Sequence, residues 1–107
     1  MSRNSAAPGS SPQNITVTSV NPASLNVSWQ PPLEKDHNGP ITGYVIQYIA
    51  VVSGNISLNV SNQNMYIIQS LLAYVNYSVM VAAVNFIGAG PLSDPVVGRS
   101  GEYSELE

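Results

Sequence analysis

The sequence predicts an all-β domain, a two-sheet β-sandwich, on three observations. Seven short strand-like runs follow one another, the clearest of them alternating apolar and polar residues at period 2. Turn signals built from Asn, Gly, Pro and Ser separate them at near-regular spacing. No run carries a capped i, i+3, i+4, i+7 apolar stripe, so no helix is expected. Strands without helices bury their apolar faces against a second sheet.

Residues 1–11 (MSRNSAAPGSS) have nothing to bury and read as a linker or an expression-vector tail. Pro12 introduces a first edge strand, Asn14 to Val20, where Ile15 and Val17 alternate with Thr. After the turn Asn21-Pro22-Ala23 comes the cleanest alternation, Ser24 to Gln30. Leu25, Val27 and Trp29 share one face of it, Asn26, Ser28 and Gln30 the other. Trp29, the only tryptophan, buries about 150–250 Å² when packed, worth roughly 4–6 kcal/mol of transfer free energy. Pro31-Pro32 ends the strand, because proline donates nothing to a ladder.

Leu33 to Pro40 is a loop that gathers Glu34, Lys35, Asp36 and His37 and closes on Asn38-Gly39-Pro40. A long strand spans Ile41 to Val52, with Tyr44, Ile46 and Tyr48 on one face, and Ser53-Gly54-Asn55 breaks it. Ile56 to Val60 and Met65 to Leu71 are short strands, the latter with Tyr66 and Ile68 inward. Tyr77 to Asn85 is the best-defined late strand, with Tyr77, Val79, Val81 and Ala83 in register. Phe86 to Pro91 is a Gly-containing loop, and a last short strand lies near Asp94 to Gly98. Pro95 places that strand at an edge or a bulge. The domain is thus expected over residues 12–99, with a polar linker or vector tail over 100–107.

A chain of 107 residues holds one core. Charged residues are 8% of it, about a third of the ordinary share, so solubility rests on Ser, Asn, Gln and Thr. The net charge is −3, and Arg3, Lys35 and Arg99 are scattered, which excludes nucleic-acid binding and polybasic membrane attachment. The lack of cysteine removes thiolate catalysis, Cys-ligated zinc and a disulfide-pinned core, and leaves redox compartment open. Tyr66 to Val84 has the length of a membrane span, but Gln69, Ser70, Asn76 and Ser78 interrupt it and alternation follows from Tyr77. Met1 precedes polar and small residues instead of an apolar run, so no signal peptide is read, and Met1 is taken as an expression start on a domain from a longer chain.

In order and spacing the residues resemble the fibronectin type III domain, over roughly Pro12 to Gly98. The resemblance rests on Pro12, Trp29, Pro31-Pro32, Asn38-Gly39, the strand Ile41-Thr-Gly-Tyr44-Val-Ile-Gln-Tyr48, Leu71 six residues before Tyr77, the strand Val79, Val81, Ala83, Asn85, and the loop Gly88-Ala-Gly90-Pro-Leu-Ser93. Ala73 departs from the proline usual after that leucine. The resemblance implies an immunoglobulin-like, seven-strand Greek-key sandwich with Trp29, Tyr44 and Leu71 in the core. It also implies that Tyr77 is a tyrosine corner whose hydroxyl bonds the backbone near Leu71. Some members carry an integrin-binding Arg-Gly-Asp tripeptide in the late loop. Ile87-Gly88-Ala89-Gly90 stands there instead, and that activity does not carry over.

Five Asn-X-Ser/Thr sequons occur, at Asn14, Asn26, Asn55, Asn59 and Asn76. An Asn- and Ser-rich composition yields about two by chance, so five is an excess that points to a glycosylated, secreted or surface protein. The Glu34-Lys35-Asp36-His37 loop reads most plainly as a solvated loop, with protein contact through Glu34, Lys35 and Asp36 as the sharper alternative. Consecutive loop residues do not converge as a metal's coordination sphere does. Outward parity in the two long strands is mostly apolar: Val45, Gln47 and Ile49 on one, Met80, Ala82 and Val84 on the other. If the strands are neighbours, Val45, Ile49, Met80 and Val84 form an exposed patch of the kind that marks a contact surface, unless a flanking loop or domain covers it.

No nucleophile, base and orienting group fall into a catalytic pattern, and no Gly-rich loop opens a helix. The sequence therefore reads as a non-enzymatic extracellular interaction and spacer module of a multidomain, membrane-anchored receptor or adhesion protein. It needs no cofactor and no metal, and its partners are proteins and the neighbouring domains of its own chain. A spacer in a secreted enzyme and an intracellular structural module of the muscle or cytoskeletal kind are the alternatives.

Overall fold

The structure, a computed structural model, describes residues 6–50 and 54–101. Among them the chain forms seven strands: β1 Gln13–Asn21, β2 Ser24–Gln30, β3 Gly43–Ala50, β4 Gly54–Ser61, β5 Met65–Ile68, β6 Asn76–Val84 and β7 Val96–Arg99. They make two antiparallel sheets, β1-β2-β5 and β4-β3-β6-β7, packed face to face as an immunoglobulin-like sandwich. Val51, Val52 and Ser53, at the end of the long strand and its break, lie outside the described residues, as do residues 1–5 and 102–107.

Period-2 alternation fixes which residues fill the space between the sheets. Leu25, Val27 and Trp29 of β2 meet Tyr44, Ile46 and Tyr48 of β3 and Tyr77, Val79, Val81 and Ala83 of β6. The Trp29 and Tyr44 rings are tilted at 59° with centroids 5.2 Å apart. Tyr48 and Tyr77 pack edge-to-face at 6.0 Å. Burial pushes the Tyr44 phenol above its ordinary pKa of 10.0, and the neighbouring Trp29 indole pulls partly the other way. Tyr48 is raised by burial first and then by the Tyr77 and Tyr66 phenols nearby.

Several boundaries differ from the sequence expectation, each for a local reason. Strand β5 stops at Ile68, three residues early: Ser70 adopts φ +61°, and the Leu71 N–H leaves the ladder to bond Ala23 O at 2.8 Å. Strand β7 starts at Val96, directly after the proline that cannot join a ladder. The charged loop holds a single 3-10 turn, Glu34–Asp36, where no helical structure was expected. The stretch before Pro12 does have something to bury. Pro8 is buried and its carbonyl comes so close to Gly90 that a Cβ there would sit 2.5 Å from it.

The two long sides of the sandwich are unlike. On one, β1 packs against β7, where Gly98 leaves just the room Val17 needs; a Cβ on Gly98 would lie 2.2 Å from Val17 Cγ1. On the other, β4 and β5 belong to different sheets and share no ladder. A groove of about 290 Å³ opens between them, lined by Tyr48, Leu58, Tyr66, Ile67, Ile68 and Gln69.

Candidate interaction surface

The register of the four-stranded sheet puts the outward residues in rows that cross three or four strands. One row runs Asn59 (β4), Val45 (β3), Ala82 (β6). The next runs Ser57, Gln47, Met80, and the third Asn55, Ile49, Ser78, Val97. The fourth is Ser61, Gly43, Val84. The two long strands are therefore neighbours, and their outward apolar side chains share one face, a mostly apolar strip with Gln47 and Ser78 among them. Val45, Met80 and Val84 are half-buried, Ile49 is 37% exposed and Val97 is 60% exposed. Ala82 shares this outward parity yet is only 2% exposed. The strip is bordered on one side by the edge strand β4, whose outward side chains Asn55, Ser57, Asn59 and Ser61 are all small, polar and exposed. The pattern of outward apolar residues was legible in the sequence; Val97 was not singled out, although it lies in the same row and is the most exposed of them.

The five sequons occupy different environments. Asn55 and Asn59 are exposed on the β4 edge, four residues apart and facing the same way. Asn76 is exposed at the start of β6. Asn14 is exposed in the β1 bulge at φ +53°, with its amide donating to Gln30 Oε1 at 2.7 Å. Asn26 lies on the central strand of the three-stranded sheet, half-buried, with its amide oxygen covered and unpartnered. The hydroxyl of its sequon, Ser28, is hydrogen-bonded to Thr16.

The charged loop is not brought to the apolar strip as one cluster. Lys35 and Asp36 form an exposed ion pair at 3.4 Å, and such pairs contribute little. The His37 ring is engaged with Pro32 O at 2.9 Å. Among the described residues no group of three or more His, Cys, Asp or Glu side chains converges as a metal site would. No helix of the described residues is long and apolar enough to cross a membrane.

Two polar residues that organise the loops were not recognised from the sequence. Asn85, only 2% exposed, donates through Nδ2 to Ala6 O at 2.9 Å and His37 O at 3.0 Å. Its Oδ1 accepts from the N–H groups of Ile87 at 2.9 Å and Gly88 at 3.2 Å. It thus ties the N-terminal segment, the charged loop and the β6–β7 loop at one end. The sequence signal was a polar residue at inward parity on β6. At the other end Ser100, 0% exposed, donates to Leu72 O and accepts from the Val75 N–H at 3.1 Å, where a tail was expected to begin. Beside it the Tyr77 hydroxyl accepts from the Leu72 N–H at 3.0 Å, a backbone group one residue beyond Leu71. Ser100 carries no periodicity signal, because it follows the last strand.

Comparison with known proteins places this geometry. The Drosophila melanogaster cell adhesion molecule Dscam1 is 36% identical over 96 residues, covering 82% of this chain and 5% of that protein. Mouse receptor-type tyrosine-protein phosphatase F is 32% identical over 93 residues, covering 87% of this chain and 5% of that protein. The chain thus spans about one twentieth of the length of the curated relatives it matches. The solution structure of the third fibronectin III domain of human KIAA0343 protein superimposes with a TM-score of 0.84 at 26% identity, covering 96% of this chain and 90% of that one. The fibronectin type III domain family matches residues 10–99. The chain belongs to the fibronectin type III family.

Proposed function

We propose that this chain is a non-catalytic module of a multidomain cell-surface receptor or adhesion protein, working outside the cell as a spacer and through protein contact. The observation that carries this reading is the apolar strip on the solvent side of the four-stranded sheet. An ordinary antiparallel sheet with one buried face is polar on the other. Here Val45, Ile49, Met80, Val84 and Val97 are where water-facing residues belong, and contact surfaces are built this way. Kinship with an adhesion molecule and a receptor, each about twenty times longer, supports a module acting among others. The sequon excess supports the compartment.

The partner is taken to be another extracellular protein surface, tested first as a second copy of this chain. Beads carrying the protein from a non-glycosylating host are expected to cluster, and Val45→Lys with Met80→Lys to abolish clustering while the fold is retained. Clustering unchanged by the double substitution overturns the contact site. A spacer role within an enzyme-bearing receptor is the second reading, favoured by the likeness to the receptor phosphatase. In that case no bead pair clusters, and only the length the domain adds is used.

A further inference from the structure

We propose that Asn59 carries an N-linked glycan that lies along the β3 side of the apolar strip, shields Val45, and leaves the β6–β7 side as the part a partner can reach. This rests on the extracellular reading above and goes beyond it, because it assigns one modification site and its effect on the contact surface.

Three observations converge on it. First, β4 is an edge strand, so no further strand among the described residues flanks a sugar attached to its outward row. Second, the Asn59-Val-Ser61 sequon has both its Asn and its Ser exposed on the outward side. Third, the register sets Asn59 directly opposite Val45, with Ala82 next across the sheet. Two interstrand spacings, about 10 Å, separate Asn59 from Ala82, a distance the first two sugars of a glycan cover. A pyranose presents a face of C–H groups, and an N-acetyl group adds a methyl, so both pack on Val45 without burying an unpartnered polar atom. Three of the other sequons lack this combination: Asn26 is half-buried, Asn14 lies on the other sheet, and Asn76 pairs with Arg99 instead of an aliphatic side chain. Asn55, opposite Ile49 in the same row of β4, has the same geometry and is the next candidate.

In the transfer step Asn59 Nδ2 bonds the anomeric carbon of a polyprenyl-diphosphate-linked oligosaccharide. The anomeric C–O bond breaks, the diphosphate leaves with its electron pair, and the amide proton passes to a base of the transferase. No oxidant or reductant is involved.

The test compares the protein secreted from a eukaryotic host with its Asn59→Gln and Asn76→Gln variants, by glycopeptide mass and by fluorescence of a hydrophobic dye. Asn59 is expected to be occupied, and Asn59→Gln to raise dye fluorescence about twofold or more. Asn76→Gln should lose its own glycan mass, if it carries one, and leave the dye signal unchanged. On the glycosylated protein Met80→Lys should still weaken bead clustering, whereas Val45→Lys should no longer do so. An unoccupied Asn59, or an occupied one whose removal leaves the dye signal unchanged, overturns this inference. Secretion with no glycan at any sequon would count against the extracellular reading itself, whereas glycans elsewhere but not at Asn59 would remove only this site.

Discussion

The outer faces of the two sheets are made by the same alternation and differ in where their apolar side chains sit. On the three-stranded sheet β1 and β2 turn Thr16, Thr18, Asn26 and Ser28 to the outside, and the apolar side chains of that face, Met65 and Ile67, sit on the edge strand β5. The four-stranded sheet turns out Val45, Ile49, Met80, Val84 and Val97. Inward, both contribute large apolar side chains to one core, so the sandwich needs neither outer face to be apolar in order to fold. The difference is one of position. The four-stranded sheet carries its outward apolar residues mainly on the two central strands, the three-stranded sheet on the edge strand β5. The middle of the four-stranded sheet is the surface the proposed contact uses.

Changes in what the two sheets share should have the largest effect and should not distinguish the faces. Trp29→Ala removes the ring that packs on Tyr44 across the core and is expected to cost about 3–5 kcal/mol in chemical denaturation. Asn85→Ala comes next. It leaves the Ala6 and His37 carbonyls and the Ile87 and Gly88 N–H groups without their partner, at about 2–3 kcal/mol. Amide exchange should rise at that end of the sandwich, and a loss confined below 0.5 kcal/mol, roughly the size of a neutral surface change, would show that the loops hold without it. Ser100→Ala should cost about 1–2 kcal/mol by the same measurement, through the corner loop at the opposite end.

The sandwich and its inward residues were legible in the sequence because period-2 alternation reports burial directly: each inward position named on β2, β3 and β6 lies in the core. The outward apolar strip was legible for the same reason, once the two long strands pair. What was hidden depends on groups brought together from distant parts of the chain. Asn85 meets Ala6, 79 positions away, and Ser100 meets Leu72, 28 positions away; no local pattern encodes such contacts. The placement of Asn55 and Asn59 beside the strip follows from strand order, which a motif search does not contain.

A smaller effect, seen only in alkali, belongs to the core on the β3 side. Tyr44 and Tyr48 both have phenols held above their ordinary pKa of 10.0 by burial. As pH rises the unfolded chain gives up these protons first, so it binds fewer than the folded chain and stability falls. Stability should be full below pH 10 and decline as pH climbs through the folded-state values. Thermal melts of Tyr48→Phe should decline less steeply over that range, and an equal decline would place the alkaline sensitivity elsewhere.

The smallest stability change gives the sharpest test of the comparison. Thr18→Lys and Met80→Lys each put a lysine on the outer face of one sheet, at positions whose side chains do not enter the core. Thr18→Lys is expected to change stability by no more than about 0.5 kcal/mol, and Met80→Lys, half-buried, by under about 1 kcal/mol. On stability alone the two faces would look alike. Bead clustering should separate them: Thr18→Lys should leave it intact, because Thr18 and the Asn26 it pairs with bring no apolar side chain to a contact. Met80→Lys should weaken it at least about tenfold, since a charge in an apolar contact must be desolvated without a partner. If both lysines weaken clustering equally, charge as such governs association and the apolar strip loses its special standing. If neither does, the strip is covered within the parent protein by a neighbouring domain, and the working side of this module lies at its ends.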